Sequence, residues 1–201
     1  MRKMIFTSEG LNQKSGRKLI RKELAKDDVS DKKIILFTLC KYRFYEVLKN
    51  ACLEMGFKDE NITIYDGEEN TKVDDGFYDY IYVTEGDAFD IMEMIKGKGM
   101  ETFIRRMVKE NNATYIGASA GAILAGSDYL LAKEFKGNHS GITECDGFDL
   151  FGKPATIIPH YTKEDLARFR VNMEAAQPGV LNRYKGNIMH VRDGRVLVVE
   201  I

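Results

Sequence analysis

The chain has 201 residues, enough for one domain with a sizeable core, and its 30 Lys and Arg against 31 Asp and Glu give a formal net charge of -1. This balance provides no overall attraction to nucleic acid or to membranes. No apolar run reaches the roughly 18 residues of a membrane span, and the apolar stretch after residues 1–3 is too short for a signal peptide, so we expect a cytoplasmic protein.

Short apolar runs alternate with helical patterns along the chain. In chain order the sequence predicts a strand over residues 4–8, a helix over 15–26, a strand over 33–40, a helix over 43–56, strands over 61–66 and 78–86, helices over 88–96 and 100–111, a strand over 113–116, a helix over 120–125, a strand over 155–160 and a helix over 163–176. Residues 187–200 are predicted to form a closing β-hairpin around Asp193-Gly194.

This alternation predicts an α/β fold with a mostly parallel sheet flanked by helices on both faces. We find no internal repeat, low-complexity tract or linker, so we expect a single domain over residues 1–201. The segment over residues 136–147 is the best candidate for a mobile loop.

The three cysteines, Cys40, Cys52 and Cys145, are widely spaced and form no C-x-x-C pair, which argues against a disulfide framework or a structural zinc site. No His, Cys and carboxylate cluster has the spacing of metal ligands, so we expect no metal or other cofactor. Cys40 ends a predicted strand and is a rival nucleophile, although a small buried core residue is the preferred interpretation.

One stretch of small residues, YIGASAGAILAG over residues 115–126, contains a single reactive side chain, Ser119. Together with Gly117 and Gly121 it fits the G-x-S-x-G nucleophile elbow, in which a serine is exposed on a tight turn between a strand and a helix. The amide of Ala120 would then face an oxyanion formed at the serine. Close packing and phosphate binding are the alternative interpretations, and the second is weak because no phosphate-loop motif is present.

A serine nucleophile needs a base, and the chain offers three histidines. His139 lies in a polar loop, and His190 lies within a predicted strand as a half-buried structural residue. His160 ends a predicted buried strand, at the same edge of the sheet as Ser119. On this placement His160 is the favoured general base.

The third member of a triad is a carboxylate that orients the imidazole. Asp193, in the R-D-G turn near a strand end, is favoured, although Asp-Gly is also a common hairpin turn with no chemical role. Three other carboxylates compete with it: Asp146, Asp149 and Glu200.

Two chain orders of the triad therefore stay open. The favoured order is Ser119, His160 and Asp193. The α/β-hydrolase order, serine then acid then histidine, would select Ser119, Asp149 and His190 instead. The two orders predict different essential histidines.

With these residues assembled, the chain resembles the peptidase family of aspartyl dipeptidase (peptidase E) and cyanophycinase. Its GASAGA is similar to the family's G-x-S-A-G-A elbow, and its IIPHYT resembles the family's strand that ends in Pro-His and an aromatic residue. YVTEGDAFDIM resembles the strand and Gly-Gly-Asn-Thr-Phe loop that help form the oxyanion hole. The resemblance implies the fold of class I glutamine amidotransferases, a flavodoxin-like three-layer sandwich.

Carried over to this sequence, the resemblance implies Ser119 as nucleophile, His160 as general base and the amides of Gly86 and Ala120 as oxyanion donors. In the aspartyl dipeptidase branch an acid in a Glu/Asp-Gly turn near the C-terminus completes the triad, which matches Asp193. The implied activity is serine peptidase cleavage of short peptides, as in an aspartyl dipeptidase, through an acyl-enzyme. We expect a short peptide substrate, a monomer or homodimer, and no nucleic-acid or membrane partner.

The oxyanion loop departs from the family pattern, because residues 85–89 read EGDAF. Glu85 adds a carboxylate beside this loop, and Asp87 replaces a neutral amide. Negative charge that faces the site opposes a developing oxyanion. It would also favour a substrate's amino group or basic side chain, which counts against an aspartyl preference.

Two other functions stay open on the sequence. One is a serine esterase or amidase that uses the same elbow on non-peptide substrates. The other is a catalytically silent binding protein of the same fold, for which the altered loop at Glu85 and Asp87 is the best argument.

Overall fold

A computed structural model describes residues 1–39, 45–67, 73, 76–134, 144–162, 167, 170–171, 174–175 and 178–201. Cys40 and His139 lie outside these residues, as do most of the predicted loop over 136–147 and most of the predicted helix over 163–176.

Strands and helices alternate through the described residues, with ends within a few residues of those predicted. The strands are β1 (Lys3–Thr7), β2 (Ile34–Phe37), β3 (Ile62–Tyr65), β4 (Tyr80–Val83), β5 (Thr114–Ala118), β6 (Thr156–Ile158), β7 (Ile188–His190) and β8 (Val196–Glu200). The helices are α1 (Lys14–Leu24), α2 (Tyr45–Met55), α3 (Ala88–Gly97), α4 (Met100–Lys109) and α5 (Ala120–Leu124), with 3-10 helices at Asp59–Asn61, Leu130–Glu134 and Val180–Tyr184. Among these described helices, none is long and apolar enough to cross a membrane.

The central sheet has six strands in the order β3-β2-β4-β5-β1-β8. β1 to β5 run parallel to one another, and β8 is antiparallel to β1. Thr7, the last residue of β1, pairs with Ala118, the last residue of β5. The segments that follow these two strands therefore emerge side by side, at the carboxyl edge where α/β sheets carry their functional groups.

The sheet is buried on both faces because its strands are apolar at successive positions. In β1, Met4 and Phe6 pack on the face covered by α3, α4 and α5, and Ile5 packs on the face covered by α1 and α2. Side chains alternate between faces along a strand, so a slip of one residue would exchange the two cores. The α/β prediction of a mostly parallel sheet with helices on both faces is confirmed.

The predicted closing hairpin is wrong. β7 pairs in parallel with β6 in a separate two-stranded sheet, and β8 pairs with β1 at the edge of the large sheet. A turn exists at Asp193-Gly194, with φ 71° at the glycine, but it connects strands of two sheets. The turn sequence alone does not determine which strand β8 pairs with. Leu197 and Val199 pack on one core and Val196 packs on the other, which favours pairing of β8 with β1 at the edge of the large sheet.

The cysteines within the described residues, Cys52 and Cys145, are buried free thiols. Burial raises the pKa of Cys52 to about 12, so this thiol stays protonated at neutral pH. Burial also raises the pKa of Cys145. Neither thiol has the depressed pKa of a reactive cysteine.

Candidate active site

Ser119 lies between β5 and α5, at the carboxyl edge of the central sheet. Its backbone has φ 48° and ψ -105°, a conformation that residues other than glycine rarely adopt. Its N–H donates to the Thr7 carbonyl at 2.9 Å, and its own carbonyl accepts from the N–H of Ala122 at 3.0 Å. These bonds hold the strained turn, and the serine lines an open cleft.

The two glycines of the elbow are required by close backbone contacts. A Cβ at Gly121 would lie 2.2 Å from the carbonyl oxygen of Val83 in β4, and one at Gly117 would lie 2.7 Å from the carbonyl oxygen of Gly121. The Gly121 N–H also donates to the Thr84 carbonyl at 3.1 Å. Close packing therefore accounts for the small residues on either side of Ser119. The same packing holds the elbow against β4.

Gly121→Ala is expected to lower the free energy of unfolding by about 1–3 kcal/mol, because the new methyl group meets backbone that has little room to move. The matched control is Gly97→Ala at the end of α3, where a Cβ meets no atom within 4 Å. That change is expected to be neutral or to stabilise by up to about 1 kcal/mol. Denaturant unfolding of both variants measures the difference, and equal stabilities would contradict the tight contact at Val83.

His160 follows β6, and its ring lies between the serine and a carboxylate. Its Nε2 is 3.0 Å from Ser119 Oγ, and its Nδ1 is 2.8 Å from Asp193 Oδ1. When Nδ1–H donates to the carboxylate, Nε2 is left as an acceptor for the serine hydroxyl proton. The structure thus brings together the three side chains of the favoured order.

The residues of the α/β-hydrolase order are engaged elsewhere. Asp149 Oδ2 pairs with Lys109 Nζ at 3.1 Å. The His190 ring packs against the ring of Tyr161, with 4.7 Å between centroids. In the described part of the chain neither residue makes a hydrogen bond to Ser119.

The backbones of the two remaining candidate acids pair with other segments. Asp146 forms an isolated antiparallel bridge with Asp128. Glu200 pairs with Lys3, at the amino end of β1, whereas Ser119 follows the carboxyl end of β5.

Two backbone amides border the cleft beside the serine. Gly86 has φ 145°, a backbone that favours glycine, and Ala120 is the first residue of α5. Both line the cleft with Ser119. Within the described residues neither amide donates a hydrogen bond, so both are available to an oxygen bound there.

The two acids of the oxyanion loop make internal contacts. Glu85 Oε2 accepts from the Tyr82 hydroxyl at 3.0 Å and from the Thr84 hydroxyl at 3.2 Å. Asp87 caps α3 and accepts from the Phe89 N–H at 2.8 Å. These contacts tie both carboxylates to the loop framework, and both residues line the cleft beside the serine.

The Tyr82 hydroxyl links this loop to the segment after β1. It accepts from the Leu11 N–H at 3.0 Å, and it donates to Glu85. Burial, with the nearby Glu85 charge, raises the Tyr82 pKa well above its ordinary value, so the hydroxyl keeps its proton. Gly10 fits closely here, because a Cβ on it would lie 1.6 Å from Glu85 Oε2.

The cleft has a volume of about 420 Å³, within the range of small-molecule sites. Its walls combine polar residues around the serine with an apolar patch formed by Ala88, Ile123, Ala132 and Pro159. Two of its residues, Ser8 and Gln13, were not singled out by the sequence. The available signal was position, since both follow β1, the strand that pairs with β5.

Comparisons with known proteins identify a family and similar folds. The model of peptidase family S51 matches residues 4–200. The 1.5 Å crystal structure of a candidate peptidase E protein from Listeria monocytogenes EGD-e has a TM-score of 0.65 and 17% identity, covering 100% of this chain and 99% of that one. The crystal structure of a peptidase from an acI-B1 Actinobacterium has a TM-score of 0.58 and 12% identity, covering 100% of this chain and 84% of that one. Both are similar to this chain in fold. The comparison with curated proteins finds no match.

Proposed function

The chain belongs to peptidase family S51, and on that basis we propose that it is a serine peptidase that hydrolyses short peptides through an acyl-enzyme on Ser119. The observation that carries the proposal is the continuous chain of contacts from Ser119 Oγ to His160 Nε2 and from His160 Nδ1 to Asp193 Oδ1, at 3.0 and 2.8 Å. A serine hydroxyl is a weak nucleophile until an oriented base takes its proton.

In the proposed reaction Ser119 Oγ attacks the carbonyl carbon of the scissile bond while its proton passes to His160 Nε2. Asp193 accepts the Nδ1–H bond and stabilises the imidazolium. The imidazolium then protonates the leaving amine, the C–N bond breaks, and the acyl group stays on the serine. Water, deprotonated by the same nitrogen, attacks the ester and releases the carboxylic acid.

The amides of Gly86 and Ala120 are the proposed donors to the negative oxygen of each tetrahedral intermediate. Loss of one such donor typically costs about 10²–10³ in rate. The carboxylates of Glu85 and Asp87 do not oppose this step in the proposal, because Tyr82, Thr84 and the start of α3 engage them.

The walls of the cleft favour a neutral residue before the scissile bond over aspartate. Among the described residues that line it, the carboxylates are Glu85 and Asp87, and there is no Lys or Arg. A substrate aspartate would lose water there without finding a cation to pair with. The patch around Ile123 and Pro159 suits a small apolar side chain.

Cleavage of a dipeptide and tripeptide panel, followed by mass spectrometry, tests the proposal. The first residue varies across Asp, Glu, Asn, Lys, Arg and small neutral types, and Ser119→Ala is measured beside the wild type. We expect serine-dependent cleavage with the highest kcat/KM for neutral residues. Efficient cleavage of Asp-X peptides would contradict the substrate preference alone, and no cleavage of any peptide would contradict the peptidase proposal.

The same panel includes a simple acyl ester, because an esterase or amidase would use the same elbow. Ester turnover without peptide cleavage would favour that function. The charge argument for a catalytically silent protein is weakened, since Glu85 and Asp87 are bonded within the loop framework.

A further inference from the structure

Ser8 joins the base segment and the acid segment of the site through one buried hydroxyl. Ser8 is 2% exposed and directly follows β1. Its Oγ accepts from the His160 N–H at 2.9 Å and donates to the Val191 carbonyl at 2.9 Å. Val191 is two residues before Asp193, so this hydroxyl lies where the two segments meet.

The contact between the base and the acid cannot hold the two segments by itself. The side chain of His160 is 41% exposed and that of Asp193 is 62% exposed, so their Nδ1–Oδ1 contact is solvent-exposed. Solvent-exposed pairs of this kind contribute little to order. His160 also has φ 55°, a conformation that persists only where the surroundings impose it.

We propose that Ser8 is a positioning residue that holds the His160 and Asp193 segments in alignment, so that the base reaches both the serine and its acid; this inference rests on the peptidase function proposed above. The hydrogen bonds of a buried hydroxyl are electrostatically stronger than the same bonds in water. The two segments also pair directly, since the Val191 N–H donates to the Ile158 carbonyl at 2.9 Å, and Ser8 attaches this pair to the end of β1.

Ser8→Ala removes one acceptor and one donor at this point. The Val191 carbonyl keeps a second donor, the Tyr161 N–H at 3.4 Å, but the His160 N–H loses its described acceptor. The strained backbone of His160 then loses the bond at its own N–H, although the neighbouring bond from the Tyr161 N–H remains. A displacement of about 1 Å in a catalytic group can cost about 100-fold in rate.

We expect Ser8→Ala to lower kcat for the best peptide by about 10- to 100-fold and to leave KM within about threefold, because alignment of the base affects the transition state more than ground-state binding. The rate of labelling of Ser119 by a serine-directed phosphonate is expected to fall in parallel.

The matched control is Ser127→Ala. Ser127 Oγ donates to the Ala155 carbonyl at 3.2 Å and accepts from the Ala155 N–H at 3.3 Å, so it has the same donor and acceptor pattern without contacts to the triad. We expect its melting temperature to fall and its kcat to stay near that of the wild type. If both variants lost kcat in proportion to their loss in melting temperature, the positioning role would be wrong.

A double-mutant cycle with His160→Ala separates positioning from general stability. If Ser8 acts through the placement of His160, Ser8→Ala is expected to cost less than about threefold once the base is gone, because residues that act as a unit are not additive. An equal fold-loss in both backgrounds would overturn the proposal. If Ser8→Ala does not fold, Ser8→Cys replaces it in the cycle, with a side chain of similar size but weaker hydrogen bonds.

The outcome for wild type separates this inference from the proposed function. Active wild type with an unimpaired Ser8→Ala variant would contradict only the role of Ser8. Wild type that neither cleaves a peptide nor reacts with the phosphonate would contradict the peptidase proposal itself.

Discussion

Ser119→Ala is expected to lower kcat/KM for peptide cleavage by at least about 10⁴-fold, since no acyl-enzyme forms without the hydroxyl. The fold is expected to persist, because the turn is held by backbone bonds to Thr7 and Ala122 that alanine keeps. Peptide turnover by the purified variant, with its circular dichroism spectrum and melting temperature, measures both parts. Near-normal hydrolysis by Ser119→Ala would end the proposal of a serine nucleophile.

Ser119→Gly is the companion variant. It also lacks the hydroxyl, but glycine adopts the positive φ of 48° at much lower cost. We therefore expect it to be as inactive as the alanine variant and more stable than wild type by about 1 kcal/mol. A glycine variant that is less stable than the alanine variant would show that the elbow is not strained.

His160→Ala is expected to lower kcat/KM by about 10⁴-fold or more, because the serine then has no base. His190→Ala is the matched control and is expected to change kcat/KM by less than about threefold. Burial, and secondarily the charge of Arg170, lower the His190 pKa, so this ring is neutral at pH 7 and packs on Tyr161. The reverse result, an inactive His190→Ala with an active His160→Ala, would favour the α/β-hydrolase order.

Positions at strand ends could be predicted from the sequence, because they depend on local patterns. The apolar runs that became β5 and β6 place Ser119 and His160 after the ends of two strands, but the predicted common sheet edge is wrong, because β6 lies in the two-stranded sheet. The glycines on either side of the serine indicated a tight turn, and both are in fact crowded by backbone.

Contacts between distant segments could not be predicted in the same way. The Asp-Gly turn at residue 193 suggested a hairpin, but the strand after it pairs with β1, nearly the whole chain away. The sequence suggested that Glu85 faces the site as a free charge, but the hydroxyls of Tyr82 and Thr84 donate hydrogen bonds to its carboxylate. Nothing near Ser8 in the sequence signals that its hydroxyl meets His160, 152 residues later.

The nucleophile and its base lie on different sheets, Ser119 at the end of β5 and His160 at the end of β6. The distance between Ser119 and His160 therefore depends on how the small sheet packs against the rest of the molecule, and not on the hydrogen bonds between strands of either sheet. Ile157 of β6 and Val191 after β7 pack in the same core as the central sheet, so side-chain packing sets this separation. A core substitution between the two sheets would thus change the distance from the serine to its base without altering either side chain.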